Sequence, residues 1–193
     1  MWLAILLAVL VVLIYFVVRR GPSGGVLVVL GSGGHTTEML LILNALNGVH
    51  GIDQITYIVA SNDTTSMARI TSLNTTVHFV VRIRNVGESV FWALVRFPIV
   101  LVQSVWIVWK VNPKLVLMNG PGICIPVMLG VYFLKPINST CATIFIESFC
   151  RVETISKTGQ ILYPFVDRFI LQWPPNKHVQ LKYPKAKFLG VLL

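Results

Sequence analysis

Six short apolar runs, at residues 26–30, 55–60, 77–81, 115–118, 143–146 and 168–171, constrain the fold of this chain more than any other feature. Most of them lack the polar alternation of a half-exposed strand. A strand without alternation is buried on both faces, which is the condition of a strand inside a parallel sheet. Helix-length segments separate the runs. The repeated strand–helix order therefore predicts an α/β fold built as a doubly wound, Rossmann-like parallel sheet. Ligands gather at the carboxyl ends of such strands, so the loops after the first, fourth and fifth runs are where chemistry is expected.

The first of these loops is Gly31-Ser32-Gly33-Gly34-His35-Thr36, leading into a helical stretch at 37–46. Free backbone N–H groups and the positive end of a helix suit an anion there, and glycine tolerates φ > 0 and close approach. The loop is not a dinucleotide fingerprint, because Thr36 fills the sixth position of G-x-G-x-x-G and the second run ends in Ala60-Ser61-Asn62 without an acid. It also lacks the Gly-Lys-Ser/Thr of a P-loop. A cradle for one or two phosphates is expected from Gly31, Ser32, Gly33, Gly34 and Thr36, with His35 beside it; a tight turn without a ligand is the competing reading.

Asn119-Gly120-Pro121-Gly122 follows the fourth run and either lines a cleft or makes an ordinary turn. After the fifth run, Glu147 is placed for a general base or a sugar-hydroxyl contact. Arg151 has the planar fork that holds a diphosphate, and Glu153 falls at the cleft edge. The plainer alternative is a Glu–Arg pair with Ser148 or Thr154 capping the next helix. His50, His78 and His178 have no ligand-type neighbours in sequence, and no metal-binding spacing occurs.

Residues 2–18 form a run of seventeen uncharged residues, followed at once by Arg19 and Arg20. As a helix this run reaches about 25 Å, enough for a thin bilayer. None of the sixteen Lys and Arg residues precedes it, so the positive-inside rule places everything after it in the cytosol. A cleaved signal peptide competes, but its positive n-region is missing. The expected layout is an anchor at 2–18, a linker at 19–25 and a cytosolic domain at 26–193.

Cys124, Cys141 and Cys150 are odd in number and unpaired in spacing, which suits reduced thiols. In the cytosol the sequons at Asn62, Asn74 and Asn138 are chance matches. The net charge of +9 suits anionic lipid or a phosphorylated substrate, and without a nucleic-acid motif it does not argue for nucleic acid. Residues 89–109 are long and apolar enough to span a bilayer, though Arg96, Pro98 and Gln103 interrupt them. A second span would put the Gly31 and Asn119 loops on opposite sides of the membrane. A crossover helix with one face in the bilayer interface is therefore expected, and residues 123–134 read as a core helix.

Taken together, the 31–38 loop, Asn119-Gly120-Pro121-Gly122, the 147–154 segment and Gln172-Trp173-Pro174 resemble a known family. It is the membrane subunit of the two-chain enzyme that makes dolichyl-diphosphate-chitobiose, adding the second N-acetylglucosamine in asparagine-linked glycosylation. The resemblance implies the N-terminal, acceptor-side half of a GT-B glycosyltransferase. That half is similar to the front half of the bacterial enzyme that glycosylates undecaprenyl-linked muramyl-pentapeptide.

A two-lobed transferase needs two such sheets and this sequence has room for one. The donor half, which grips UDP-N-acetylglucosamine, is expected from a soluble partner, leaving this chain inactive alone. The resemblance also implies an endoplasmic reticulum location and an acceptor, dolichyl-diphosphate-N-acetylglucosamine. Its diphosphate would lie near residues 31–36 and Arg151, and its lipid would run towards the anchor and the 91–109 face. The sugar 4-hydroxyl would attack in a single inverting displacement, with no cofactor or metal. His35 and Glu147 are both candidate bases. Val191, Leu192 and Leu193 are expected to pack on the partner. A purely structural anchor that recruits a catalytic chain is the alternative.

Overall fold

The computed structural model describes residues 24–46, 54–70, 75–84, 87–136 and 138–190. The expected anchor at 2–18, most of the linker and Val191, Leu192 and Leu193 lie outside the described residues.

Seven strands form one sheet: β1 (Val26–Val29), β2 (Ile55–Ala60), β3 (Thr76–Val80), β4 (Leu115–Asn119), β5 (Ala142–Ile146), β6 (Arg168–Leu171) and β7 (Ala186–Phe188). Their order is β3-β2-β1-β4-β5-β6-β7, and every pairing is parallel. Six of the strands match the apolar runs to within a residue at either end. The seventh was not expected, because Ala186-Lys187-Phe188 is a short, exposed edge strand with no apolar run to mark it.

The helices are α1 (Gly34–Ala45), α2 (Thr64–Arg69), α3 (Val90–Val111), α4 (Cys124–Leu134), α5 (Lys157–Leu162) and α6 (Lys177–Lys182). Alternate residues of β1 feed the two cores. Leu27 and Val29 pack with α3 and α4 residues such as Val100, Ile107 and Val127. Val26, Val28 and Leu30 pack with Met39 and Leu43 of α1. Both sets are almost completely buried, and each such side chain contributes about 1.5–3 kcal/mol of transfer free energy. Burial on both faces is why β1 carries no polar residue.

Because α1 lies on one face and α3 and α4 on the other, the chain reverses its winding between β1 and β4. That is the topological switch point, where a crevice opens at the carboxyl edge.

Helix α3 joins β3 to β4 of the same sheet, so it is a crossover helix, as expected. Its segment Phe91–Val111 is nonetheless long and apolar enough to cross a membrane. The C-terminal half packs on α4, where Gly130 permits close approach: a Cβ there would stand 3.2 Å from Val105 N. Asn112 closes the helix in the left-handed conformation, its N–H donating to Val108 O at 2.9 Å. The N-terminal half leaves Phe91, Trp92, Leu94, Val95 and Ile99 exposed. The sequon residue Asn138 is buried and donates to Pro113 O at 3.1 Å, leaving no room for a glycan. Cys124 and Cys141 are buried free thiols, and burial pushes the latter up to about 11.

Candidate functional site

The loops after β1, β4 and β5 enclose a cleft of about 600 Å³ at the carboxyl edge, lined by Ser32, Gly34, His35, Glu38, Gly120, Ser148, Cys150, Arg151, Ser156, Lys157 and Thr158. His35 and Glu38 both stand in the first turns of α1, one turn apart. The helix begins at Gly34, three residues earlier than the sequence suggested, with Gly33 at φ 74° as its N-terminal boundary and no side-chain cap. Its first N–H groups are thus left for a ligand or water.

The glycines divide by role. A Cβ on Gly120, which sits at φ 67°, would come within 2.2 Å of the His35 ring, and one on Gly31 within 2.6 Å of Pro121. These two let the β1 and β4 loops close on each other. Added Cβ atoms on Gly33, Gly34 and Gly122 would meet open space, so these three leave backbone exposed at the mouth.

His35 Nδ1 lies 2.8 Å from Asn119 Oδ1. Asn119 is fully buried, and its Nδ2 donates to Glu38 Oε2 at 3.0 Å. Glu38 also accepts from Ser148 Oγ at 2.9 Å and from Phe149 N–H at 3.3 Å. A carboxylate only accepts, so it fixes the Asn119 amide with nitrogen towards Glu38 and oxygen towards His35. The amide oxygen in turn requires a proton on His35 Nδ1, so that in the neutral ring Nε2 is the acceptor.

Glu147 takes a different position from the expected one. It has no exposed area and does not line the cleft. Its carboxyl accepts from Ser148 N–H at 3.0 Å, from Ser156 N–H at 2.9 Å and from Ser156 Oγ at 3.0 Å. Burial pushes this carboxyl upward, opposed by those hydrogen bonds and the nearby Arg151 charge. Ser156 caps α5 by accepting from Gly159 N–H at 3.0 Å. Glu147 therefore pins the start of α5, which brings Lys157 and Thr158 to the cleft.

Thr36 is likewise turned inward, bonding Gly31 O and lying 2.6 Å from Ser66 Oγ, so its side chain ties the loop to α2 instead of facing a phosphate. Arg151 is exposed on the cleft wall. Glu153 is exposed outside it, its carbonyl accepting from Asn176 Nδ2 at 3.0 Å. Pro121 and Gly122 face a smaller neighbouring cavity, which Ser32 and His35 also reach. Trp173 Nε1 donates to Phe149 O at 2.7 Å, so the Gln172-Trp173-Pro174 segment fastens the β5 loop. Among the described residues, no three of His, Cys, Asp and Glu converge on a point that would hold a metal ion.

Lys157, Arg82 and Arg84 went unmarked in the sequence, and Glu38, though within the 31–38 segment that carries the resemblance, was given no role there. The available signal for Glu38 was its rarity, as one of seven carboxylates, and its position one turn after a loop histidine.

The family described as "Oligosaccharide biosynthesis protein Alg14 like" matches residues 26–192. The chain belongs to this family. Its relatives include the "UDP-N-acetylglucosamine transferase subunit ALG14" of Rattus norvegicus, 36% identical over 96% of this chain and 93% of the relative. The Homo sapiens protein of the same name is 35% identical over 96% and 91%, and that of Schizosaccharomyces pombe 34% over 86% and 82%. Among solved structures, Acinetobacter baumannii MurG superposes with a TM-score of 0.62 at 13% identity, over 88% of this chain and 45% of MurG. A UDP-N-acetylglucosamine 2-epimerase gives 0.56 at 14% identity, over 78% and 40%. At such identities the likeness is one of fold, of GT-B type, and the chain spans less than half the length of either protein.

Proposed function

We propose that this chain is the acceptor-binding, membrane-anchoring subunit of an inverting UDP-N-acetylglucosamine transferase. It adds the second N-acetylglucosamine to dolichyl-diphosphate-N-acetylglucosamine. The observation that carries this reading is the His35–Asn119–Glu38 chain at the switch-point crevice, which holds a cleft-lining imidazole through Nδ1 and leaves Nε2 of the neutral ring as its acceptor. The names of the relatives supply the sugar nucleotide and the word subunit.

In this mechanism His35 Nε2 takes the proton of the acceptor 4-hydroxyl as that oxygen bonds to the anomeric carbon of the donor. The bond from that carbon to the UDP phosphate breaks on the opposite face, so configuration inverts and UDP leaves with the electron pair. A positioned base of this kind contributes about 10²–10⁴-fold. Gly33, Gly34 and Gly122 leave room at the mouth, and Arg151 with Lys157 gives the cleft positive charge for substrate phosphate. Glu147 holds α5 in place and does not touch substrate. Residues 2–18 anchor the chain in the endoplasmic reticulum membrane, 19–25 link it, and 26–193 face the cytosol. The exposed apolar half of α3 rests at the bilayer surface. A soluble donor-binding chain docks over the cleft, with Val191, Leu192 and Leu193 in the contact.

Reconstitution tests this directly. The full-length chain alone should transfer nothing. With a soluble donor-binding chain it should convert dolichyl-diphosphate-N-acetylglucosamine to the disaccharide. Turnover by the purified chain alone contradicts the two-chain reading. Undiminished turnover of a complex carrying His35→Ala would leave the chain a scaffold.

A further inference from the structure

The smaller cavity, of about 280 Å³, lies on the other side of His35 from the Arg151 wall, towards β2 and β3. His35 and Ser32 line both spaces. Arg82 and Arg84, on the loop that follows β3, close the outer side of the smaller one. Arg82 Nη2 donates to Ser32 Oγ at 2.9 Å, which draws its guanidinium to the glycine loop. Among the described residues neither arginine has a carboxylate within ion-pair distance, whereas Arg96 on the same connection is paired with Glu88 at 2.6 Å. Two uncompensated forks facing a cavity beside the uncapped end of a twelve-residue helix make an anion site.

The surroundings say which anion. Val81 N–H, at the carboxyl end of β3, donates to Gln103 Oε1 of α3 at 3.0 Å. Helix α3 runs back antiparallel to the strands; Val100 is still buried in the core, and the residues before it lead out past the sheet edge, by about 13 Å for nine residues. This projecting segment is the exposed apolar one, with Phe91 63%, Leu94 69% and Ile99 53% accessible. The arginine cavity thus opens on the connection that leads straight into an apolar wall.

We infer that the Arg82–Arg84 cavity is a diphosphate subsite for the lipid-linked acceptor. The diphosphate is gripped by the two guanidinium groups, the isoprenoid follows α3, and the sugar crosses His35 into the larger cleft. This rests on the functional reading above and deepens it by assigning the acceptor phosphates to Arg82 and Arg84. Arg151 and Lys157 are left for the donor side. A sugar nucleotide carries the same diphosphate chemistry but has no use for the apolar wall.

The test is steady-state kinetics of the full-length chain with its donor-binding partner, using phytanyl-diphosphate-N-acetylglucosamine and UDP-N-acetylglucosamine. Arg84→Ala, and more strongly the Arg82→Ala/Arg84→Ala pair, should raise KM for the lipid substrate about 10- to 100-fold. KM for the sugar nucleotide should stay within about twofold. Lysine replacements should recover part of the loss, because charge remains without the fork. Arg168→Ala, at the start of β6 four strands from β2, should change neither constant.

An unchanged lipid KM, or a rise confined to the sugar nucleotide, overturns the assignment. If the wild-type complex transfers nothing to the lipid substrate, the functional reading fails. Equilibrium binding of radiolabelled phytanyl diphosphate to the solubilised full-length chain then judges the subsite separately. Binding about tenfold weaker in the double variant supports it, and equal binding overturns it.

Discussion

Glu38 and Glu147 are both buried carboxylates, and Ser148 links them, giving its hydroxyl to one and its N–H to the other. They differ in what lies beyond. Glu38 leads through Asn119 to an imidazole that reaches the cleft. Glu147 leads to Ser156 and the start of α5. On the proposed reading, then, an acid at the end of a strand is structural here, and an acid on a helix serves the reacting groups. Depth and partners decide the role, and position along the chain does not.

The comparison breaks most visibly at Gly120. A Cβ there must displace the His35 ring, and the residue's positive φ penalises alanine as well. Gly120→Ala should lower kcat by about 100-fold or more, as a misplacement near 1 Å does. The measurement is single-turnover transfer at saturating substrates. A normal rate in a folded variant would place the chemistry away from His35.

Glu38→Gln comes next. Glutamine can still accept from Asn119 and Phe149 N–H, but it presents a donor to Ser148 Oγ where an acceptor stood, and so loosens the amide that sets the His35 tautomer. The expected loss in kcat is about 10- to 100-fold, a share of what a positioned base contributes, with both KM values little changed. The pH–rate profile of kcat should move with it, which a purely structural defect would not cause. An unmoved profile would detach Glu38 from the imidazole.

Glu147→Gln should act on stability instead. It sets an amide N–H against N–H donors in a buried site, costing about 1–3 kcal/mol. The pH dependence has a definite sign. Burial raises the Glu147 carboxyl, so the folded chain holds that proton more tightly than the unfolded chain does. The contribution is full below the ordinary carboxylate range and is lost as pH rises through the raised value. The melting-temperature gap between wild type and Glu147→Gln should therefore narrow from acid to neutral pH. A gap that widens would contradict this account of the carboxyl.

Much of the fold was legible, because a strand buried on both faces must be apolar throughout. The run at β1 says so residue by residue, and those at β2 and β4 do so apart from Thr56, Tyr57 and the terminal Asn119. β7 was not legible, since an exposed edge strand holding Lys187 obeys no such rule. Of the site, the His35 loop and the Asn119 loop each stood out by their glycines. Their meeting depends on β1 lying beside β4, a matter of strand order that local sequence does not encode. The inward turn of Thr36 and the depth of Glu147 were hidden for the same reason. Both are set by what packs from other elements, Ser66 in one case and Ser156 in the other.

The central claim is that His35, held through Asn119 by Glu38, is the base and Glu147 is not. The most direct measurement is the single-turnover rate of His35→Ala and Glu147→Gln, each as the full-length chain assembled with its donor-binding partner and checked for folding. The account predicts a loss of about 10²–10⁴-fold for His35→Ala and a rate within a few-fold of wild type for folded Glu147→Gln. The reverse pattern, with His35→Ala near normal and folded Glu147→Gln inert, would contradict it.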